Sequence, residues 1–568
     1  LLEKIGKVHK TDVLIIGGGI AGLFATIRAK EFVEHVTVVD KGPIGKTSQA
    51  YFALGGHQVL LPGDNLEDWL SDVVYFTDGL CDQELVESIY LDTYNRIKDL
   101  ERFGVKFIKE PNGNYRRFPT RGLPHVRGIR PEPHGLGGKL EIEALFKEAQ
   151  RRGVNMLSRI MVTDLLKDGE RVCGAVGFDI RSGEFHIFEA KAIVIATGSC
   201  AFKGHYAAQA FSTGEGFEMA FRAGAELKNL EFATLWMQPA HYTWEALGTS
   251  FPLGAILLNA KGERFMERYC PSLKEMIDFN YLARACAFEA RKGNAPFYID
   301  HTTIKREELR FLKDRAGWME IHVRKLEELN VKPYEEKQEC MPAFWGVSGI
   351  KADLRCETSV QGLFVCGKAM SIDPGVTMGS WSIASATVTG YRAGESAGRY
   401  AQTCKHSSPD PQEISRLKQE LYKPTVISAG VNPEEAIKAV QEVIFPYEII
   451  VIKHAERLKQ ALEQIKDIRS ELIPSLHAKN PHELVKLREA RSMAFIAELM
   501  LKASLLRTES RASHFREDYP NRDDKNWLKW IIIRQKGEDA EFFTQPLPIE
   551  RYRIKPTRFY MDNFVIPN

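Results

Sequence analysis

Three glycines open the chemistry of this chain. Gly17, Gly19 and Gly22 stand in "TDVLIIGGGIAG", an apolar run that reads as a buried strand feeding a helix through Ile20 and Ala21. Glycines at that spacing permit a tight turn, close backbone approach to a pyrophosphate and tight helix–strand packing. The free N–H groups of the helix start then face the phosphates. Asp40, followed by Lys41, ends the next apolar strand, "VTVVD", where a carboxylate can accept ribose hydroxyls. A dinucleotide site is expected here.

The rest of the chain points to FAD rather than NAD. "AIVIATG" is a second apolar strand and ends in Ala196, Thr197 and Gly198. "STGEGFEMAFRAGAEL" places Thr213 and Glu215 beside two glycines at a helix start. "GLFVCGKA" ends a strand in Gly367 and Lys368. "TMGSWSIASA" reads as a helix N terminus bearing Ser380, Ser382 and Ile383, whose N–H groups can face the flavin edge where charge collects on reduction.

Around these motifs the spacing predicts an α/β protein: a Rossmann-like FAD-binding domain (1–225, returning at 346–405), an inserted α+β capping domain (226–345), a C-terminal helical domain (413–510) and a tail segment (511–568). A helix is expected from Ile20 to Phe32, helical structure over 64–105 with Gly104 as a stop, and a β-meander over 154–198 turning at "KDGE" and "RSGE". In "ELVKLREARSMAFIAELMLKASLL", Leu484, Leu487, Ala490, Ala494, Ala497, Leu501 and Leu505 share one helix face. The 568 residues carry a net charge of +2, which gives no argument for nucleic acid. Nine cysteines without a C-x-x-C pair argue against a disulfide framework and against a metal or cluster held by this chain alone. A reducing, cytoplasmic setting is expected, and no segment reads as a membrane span.

The order of these elements, with "LLNAKGERFMERY" and "SRASHFREDYPNRDDKNWLKW", resembles the fumarate reductase/succinate dehydrogenase flavoprotein superfamily. "NPHELVKLREARSM", "LRTESR" and "DGLCDQELVESI" resemble most the adenylylsulfate (APS) reductase alpha subunit. The resemblance implies an enzyme with FAD, partnered by a small ferredoxin-like iron–sulfur (beta) subunit, and a small-molecule substrate. It also places Thr47, Ser48, Gln49, Gly55 and Gly56 at the cofactor. Gln49 stands where the family's covalent flavin–histidine bond would fall, so noncovalent FAD is expected.

Three substrate-handling positions of the dicarboxylate enzymes fall on Phe279, Phe344 and Thr377. A dicarboxylate needs paired cations, so fumarate and succinate are poor candidates. Arg284 matches an arginine of APS reductase, whose histidine is missing here. The catalytic candidates are therefore Arg284, His57 and His134. The basic stretch 116–138, with Arg121, His125, Arg127, Arg130 and His134, reads as an anion-binding loop, a partner-docking loop or a solvated surface. Lys368 either meets a pyrophosphate oxygen or points to solvent. Trp236, Phe279, Phe344, Trp345 and Trp381 either wall the flavin or fill the core. Trp527 and Trp530 would share a helix face and could anchor an interface. Three functions stay open: an enzyme subunit whose substrate is not a simple dicarboxylate, APS reductase itself, and an electron-transfer module of a larger redox complex.

Overall fold

The strand before Gly17 runs Lys7–Ile16 and is buried from Thr11 onward. It lies inside a seven-stranded sheet, flanked in parallel by Val36–Asp40 and Phe185–Ile195. Asn155–Ser158 adds in parallel outside Val36–Asp40, and Leu363–Val365 pairs in parallel with Phe185–Ile195. Arg171–Asp179 and Ile160–Asp168 complete the sheet as antiparallel strands. The central strands read as continuous apolar runs because both of their faces are covered. The computed structural model describes residues 2–133, 137–243, 247–305, 307, 327–330, 336–347, 349–373, 375–427 and 429–567.

The helix after the glycine turn is Ile20–Ala29, three residues shorter than its apolar pattern. It crosses the helix Trp381–Thr403 at very close range. A Cβ on Gly390 would lie 2.4 Å from the carbonyl oxygen of Ala21, and one on Gly394 2.3 Å from that of Ala25. Only glycine permits such an approach, so the two helices are locked together.

Residues 64–105 form two helices, Leu66–Phe76 and Gln83–Arg102, and Gly104 adopts φ +98° just beyond the second. The turns at "KDGE" and "RSGE" separate the strands Ile160–Asp168, Arg171–Asp179 and Phe185–Ile195. The first strand of that stretch leaves the meander for the far edge of the sheet.

In the inserted region, Thr234–Pro239, Lys337–Gly346, Phe297–Asp300 and Ile256–Leu258 form a four-stranded sheet. The helix Pro481–Leu506 begins at Asn480, whose side chain accepts from the Glu483 N–H at 2.9 Å. It is buried on more than the predicted face, since Glu489, Met493, Ile496 and Glu498 are interior too. The tail contributes two strands, Lys529–Lys536 and Asp539–Pro546, which pair with each other, and the first also pairs with Leu227–Lys228.

Trp527 and Trp530 do not share a helix face. The short helix ends at Trp527, and Trp530 lies on the following strand. Both are buried, with indole N–H groups donated to Thr508 at 3.0 Å and to the Leu80 carbonyl at 3.5 Å. They pack the tail inward and present no anchor to solvent. Among the described residues no helix is long and apolar enough to cross a membrane.

Candidate active site

The glycines at the sheet's end have separate duties. Gly17 has φ +114°, and a Cβ there would sit 2.3 Å from the Ala196 carbonyl oxygen. A Cβ on Gly22 would sit 1.9 Å from the Gly17 carbonyl oxygen, so Gly22 serves the turn and does not line the cavity described below. Gly19 caps the helix without a side-chain bond, which leaves the first N–H groups open. Two more helices arrive in the same state. Gly214 precedes Glu215–Ala223 and Ser380 precedes Trp381–Thr403, and neither supplies a side-chain cap.

These ends border a cavity of about 1070 Å3. That reaches the top of the range of roughly 300–1,000 Å3 for ordinary small-molecule sites. Its walls include Gly17, Gly19, Ile20, Ala21, Asp40, Lys41, Thr47, Ser48, Gln49, Gly55, Gly56, Ala196, Thr197, Gly198, Glu215, Gly367, Lys368, Ser380, Ser382 and Ile383, all expected from the sequence. Thr213 is not among them. Its hydroxyl instead donates to Glu215 at 2.8 Å and accepts from the Lys41 ammonium at 2.7 Å, so it braces the wall from behind.

Asp40 accepts the Gly18 N–H at 2.6 Å and the Gly42 N–H at 2.7 Å, one on each oxygen. Burial still raises its pKa. The carboxylate thus holds the glycine turn as well as bordering the cavity. At the start of the helix Trp381–Thr403, Gln58 fixes the loop before Trp381. Its N–H donates to the Ser380 carbonyl at 3.1 Å and its side-chain amide to the Gly379 carbonyl at 2.7 Å. Tyr90 in turn donates to the Gln58 side chain at 2.6 Å.

The opposite wall carries Phe118, Arg121, Arg130, Trp236, Met276, Phe279, Trp345 and Thr377. Trp236 lies 4.8 Å from Phe279 and 6.2 Å from Trp345, centroid to centroid. Phe344 turns away toward Phe202 and Phe445, so Trp345 is the cavity-facing residue of that strand. Trp381 is buried against Tyr90 and does not reach the cavity. Lys368 lines the cavity but is neither solvated nor unmatched. It pairs with Asp373, whose carboxylate also accepts from Thr377 at 3.0 Å, and its ammonium lies 4.2 Å from the Trp345 ring centre.

The expected catalytic set is dispersed. His57 is buried 2.8 Å from a Glu141 oxygen, beside Phe107, and does not line the cavity. Arg284 is buried among Tyr281, Phe515 and Phe564, and donates to the Ala512 carbonyl at 3.0 Å. Its guanidinium fastens the tail to the inserted region. His134 lies outside the described residues. The basic stretch divides: Arg121 and Arg130 line the cavity, whereas His125 faces outward and pairs with Asp72, and the Arg127 guanidinium donates to the Pro124 carbonyl. Sequence reasoning missed Ile160, Met161, Val162, Phe211 and Met276, which also line the cavity. They lie in ordinary apolar segments, and only the folded chain brings them to the wall. Among the described residues, no group of three or more His, Cys, Asp or Glu is placed to hold a metal ion.

Residues 12–383 match the family model for an FAD binding domain, and residues 440–560 the model for the fumarate reductase flavoprotein C-terminus. The chain is 27% identical over 558 residues to one of the subunits of fumarate reductase (CoM/CoB) of Methanothermobacter marburgensis, covering 94% of this chain and 98% of that one. It is 29% identical over 552 residues to an uncharacterized FAD-dependent oxidoreductase of Methanocaldococcus jannaschii, covering 93% and 97%. The fold matches E. coli quinol fumarate reductase at a TM-score of 0.87 and 22% identity, over 98% of this chain and 99% of that one. It matches adenylylsulfate reductase of Archaeoglobus fulgidus at 0.79 and 23%, over 95% and 96%. The glycine turn, the cavity it borders and the two family matches lead to one assignment: the chain belongs to the fumarate reductase/succinate dehydrogenase flavoprotein family and is an FAD-dependent oxidoreductase.

Proposed function

We propose that this chain is the catalytic (alpha) subunit of an oxidoreductase. It exchanges electrons between a small-molecule substrate, noncovalent FAD and a ferredoxin-like iron–sulfur subunit. The substrate is not a simple dicarboxylate. The observation that carries this reading is the make-up of the cavity wall, where Phe279 and Thr377 stand at positions that the family resemblance assigns to charged substrate-handling groups and Lys368 is paired with Asp373. A dicarboxylate would have to find both of its cations elsewhere on the wall, among residues such as Arg121 and Arg130, since buried carboxylates without matched cations are strongly disfavoured.

The pyrophosphate of FAD is assigned to the turn at Gly17, Gly19, Ile20 and Ala21, and the adenosine end to Asp40, Lys41 and Glu215. The helix start at Ser380, Ser382 and Ile383 takes the flavin's polar edge. When bound, FAD supplies the two-electron redox chemistry. The chain's own part is to hold anionic groups at uncapped helix ends, to exclude water with Trp236, Phe279 and Trp345, and to keep Lys368 matched. Gln49 lines the cavity, and its amide lacks the nucleophilic nitrogen that a covalent flavin bond requires. The Methanothermobacter relative is named as one part of a multi-subunit enzyme, which supports the same organisation for this chain.

The test is turnover of the flavin-loaded protein, purified with its native partner, on fumarate and succinate. Rates below about 0.1 per second are expected. Turnover on the order of 10 per second, ordinary for an enzyme on its own substrate, would contradict the reading.

A further inference from the structure

We infer that the aromatic wall of the cavity receives a flat aromatic monocarboxylate, anchored by the edge of the Arg121 guanidinium that the protein leaves unbonded. This rests on the reading above and narrows its substrate.

A guanidinium has five N–H donors. In Arg121, Nη1 donates to the carbonyls of Glu275 at 2.7 Å and Ile277 at 2.8 Å, and Nη2 donates to that of Gly248 at 3.3 Å. Those bonds fix the plane of the group and leave Nε–H and one Nη2–H. That pair is the side-on fork that matches the two oxygens of a carboxylate. The carbonyls carry no charge, and no described acid comes within ion-pair distance of the guanidinium, while Asp278 and Glu275 act on its charge from farther away. Its neighbours on the wall differ. Lys109 lies 3.3 Å from Glu101, Arg116 lies 3.4 Å from Glu110, and Lys368 pairs with Asp373. Burial lowers the Arg121 pKa to about 10, a measure of how far this charge has been taken from water.

The surroundings of Arg121 are aromatic. Its guanidinium lies 4.3 Å from the Phe279 ring centre and 5.3 Å from that of Phe251. Phe279 cannot shift toward Gly248, where even a Cβ would come within 2.2 Å of its ring. Trp236 stacks against Phe279, tilted 32°, and against Trp345, tilted 20°, and all three rings line the cavity, so this wall offers aromatic carbon to the apolar body of a ligand. A single carboxylate on a flat ring satisfies the fork and the wall together.

The test is a binding titration of the full, FAD-loaded chain, read from the flavin absorbance. The probes are cinnamate (trans-3-phenylacrylate), its neutral amide, fumarate, and AMP with sulfite. Cinnamate is expected to bind at least 10-fold more tightly than the amide and than fumarate. Arg121→Gln should weaken cinnamate binding about 10- to 100-fold while leaving flavin content and amide binding unchanged, and Arg121→Lys should fall between, keeping the charge without the fork. Equal binding of fumarate, tighter binding of AMP with sulfite, or undiminished cinnamate binding by the Arg121→Gln variant would overturn the inference. Should that variant fail to fold, the probe comparison on the unaltered protein still decides. Because the readout is binding, failure of the iron–sulfur partnership would show separately, as an iron-free native preparation.

Discussion

The ammonium of Lys41 lies 2.8 Å from a carboxylate oxygen of Glu489, joining the end of a nucleotide-domain strand to the middle of the long C-terminal helix. The other Glu489 oxygen takes Lys203 at 2.6 Å, and Lys41 also meets Glu215 at 2.7 Å. Burial alone would raise the Glu489 pKa, but Lys41 and Lys203 outweigh it and hold the group below the usual glutamate value. A carboxylate with a lowered folded pKa stabilises the fold above its unfolded value near 4.3 and loses that contribution as the pH falls through the folded value. Glu489→Gln should therefore cost about 2 kcal/mol at neutral pH, below the usual range for a broken buried pair because Lys41 keeps Glu215. It should also loosen FAD at the adenosine end. Urea midpoints and flavin content after dialysis check both, and unchanged values would deny the link.

Gly22 and Gly19 predict a contrast. Gly22→Ala puts a methyl group 1.9 Å from the Gly17 carbonyl, a backbone atom that cannot yield without breaking the turn. A destabilisation of at least ~3 kcal/mol is expected, with low soluble yield. Gly19→Ala meets only the Ser48 side chain, at 3.1 Å, so it should fold and lose FAD affinity instead. Purification of both variants, with flavin absorbance and a thermal melt, separates the effects. Full flavin occupancy in Gly19→Ala would move the cofactor away from this turn.

Gln49 predicts free flavin. Acid precipitation should leave a colourless pellet and a yellow supernatant. A pellet that stays yellow, and digests to a fluorescent peptide, would mean another side chain forms the bond.

Lys453 predicts an alkaline rise in stability. Its ammonium is buried, bonded to the Glu231 carbonyl at 2.7 Å, to Ser504 at 3.1 Å and to His514 at 3.1 Å. Burial lowers its pKa to about 7, with Glu231 opposing and Arg516 and Arg507 adding to the shift. Between that value and the unfolded value near 10.4, the unfolded chain binds the extra proton, so stability climbs with pH. The slope contributed by this site is on the order of 1 kcal/mol per pH unit. Lys453→Met removes it. The stability difference between the two proteins should change in favour of the native lysine from pH 7 to pH 9, as read by urea unfolding. A constant difference would place the lysine's titration elsewhere.

The side of the cavity built on the glycine turn was legible because its signals are local. Gly17, Gly19 and Asp40 act through backbone geometry that strand, turn and helix set within one short stretch, and nearly all of the expected wall lines one cavity. The opposite wall and the expected catalytic residues were not, because their geometry comes from contacts across the chain. His57 looked reactive beside a glycine pair, yet it finds Glu141 on the helix Gly137–Arg151 and closes a buried pair. Arg284 matched a motif, but the tail folds over it and takes its guanidinium. Phe344 and Trp345 are neighbours on one strand, and strand register, which the sequence does not state, decides which faces the cavity. Lys368 hid its partner for a different reason, since Asp373 reaches back only through the loop after the strand end.

Under the proposed function, electrons pass between this flavoprotein and a separate iron–sulfur subunit. Native mass spectrometry of the untagged protein from its own host, with iron and flavin analysis of the same sample, tests it most directly. A stable complex of this chain with a small protein is expected, containing FAD and several irons per complex, with the flavin released on denaturation. A lone, iron-free chain that turns over substrate with oxygen or nicotinamide would contradict it.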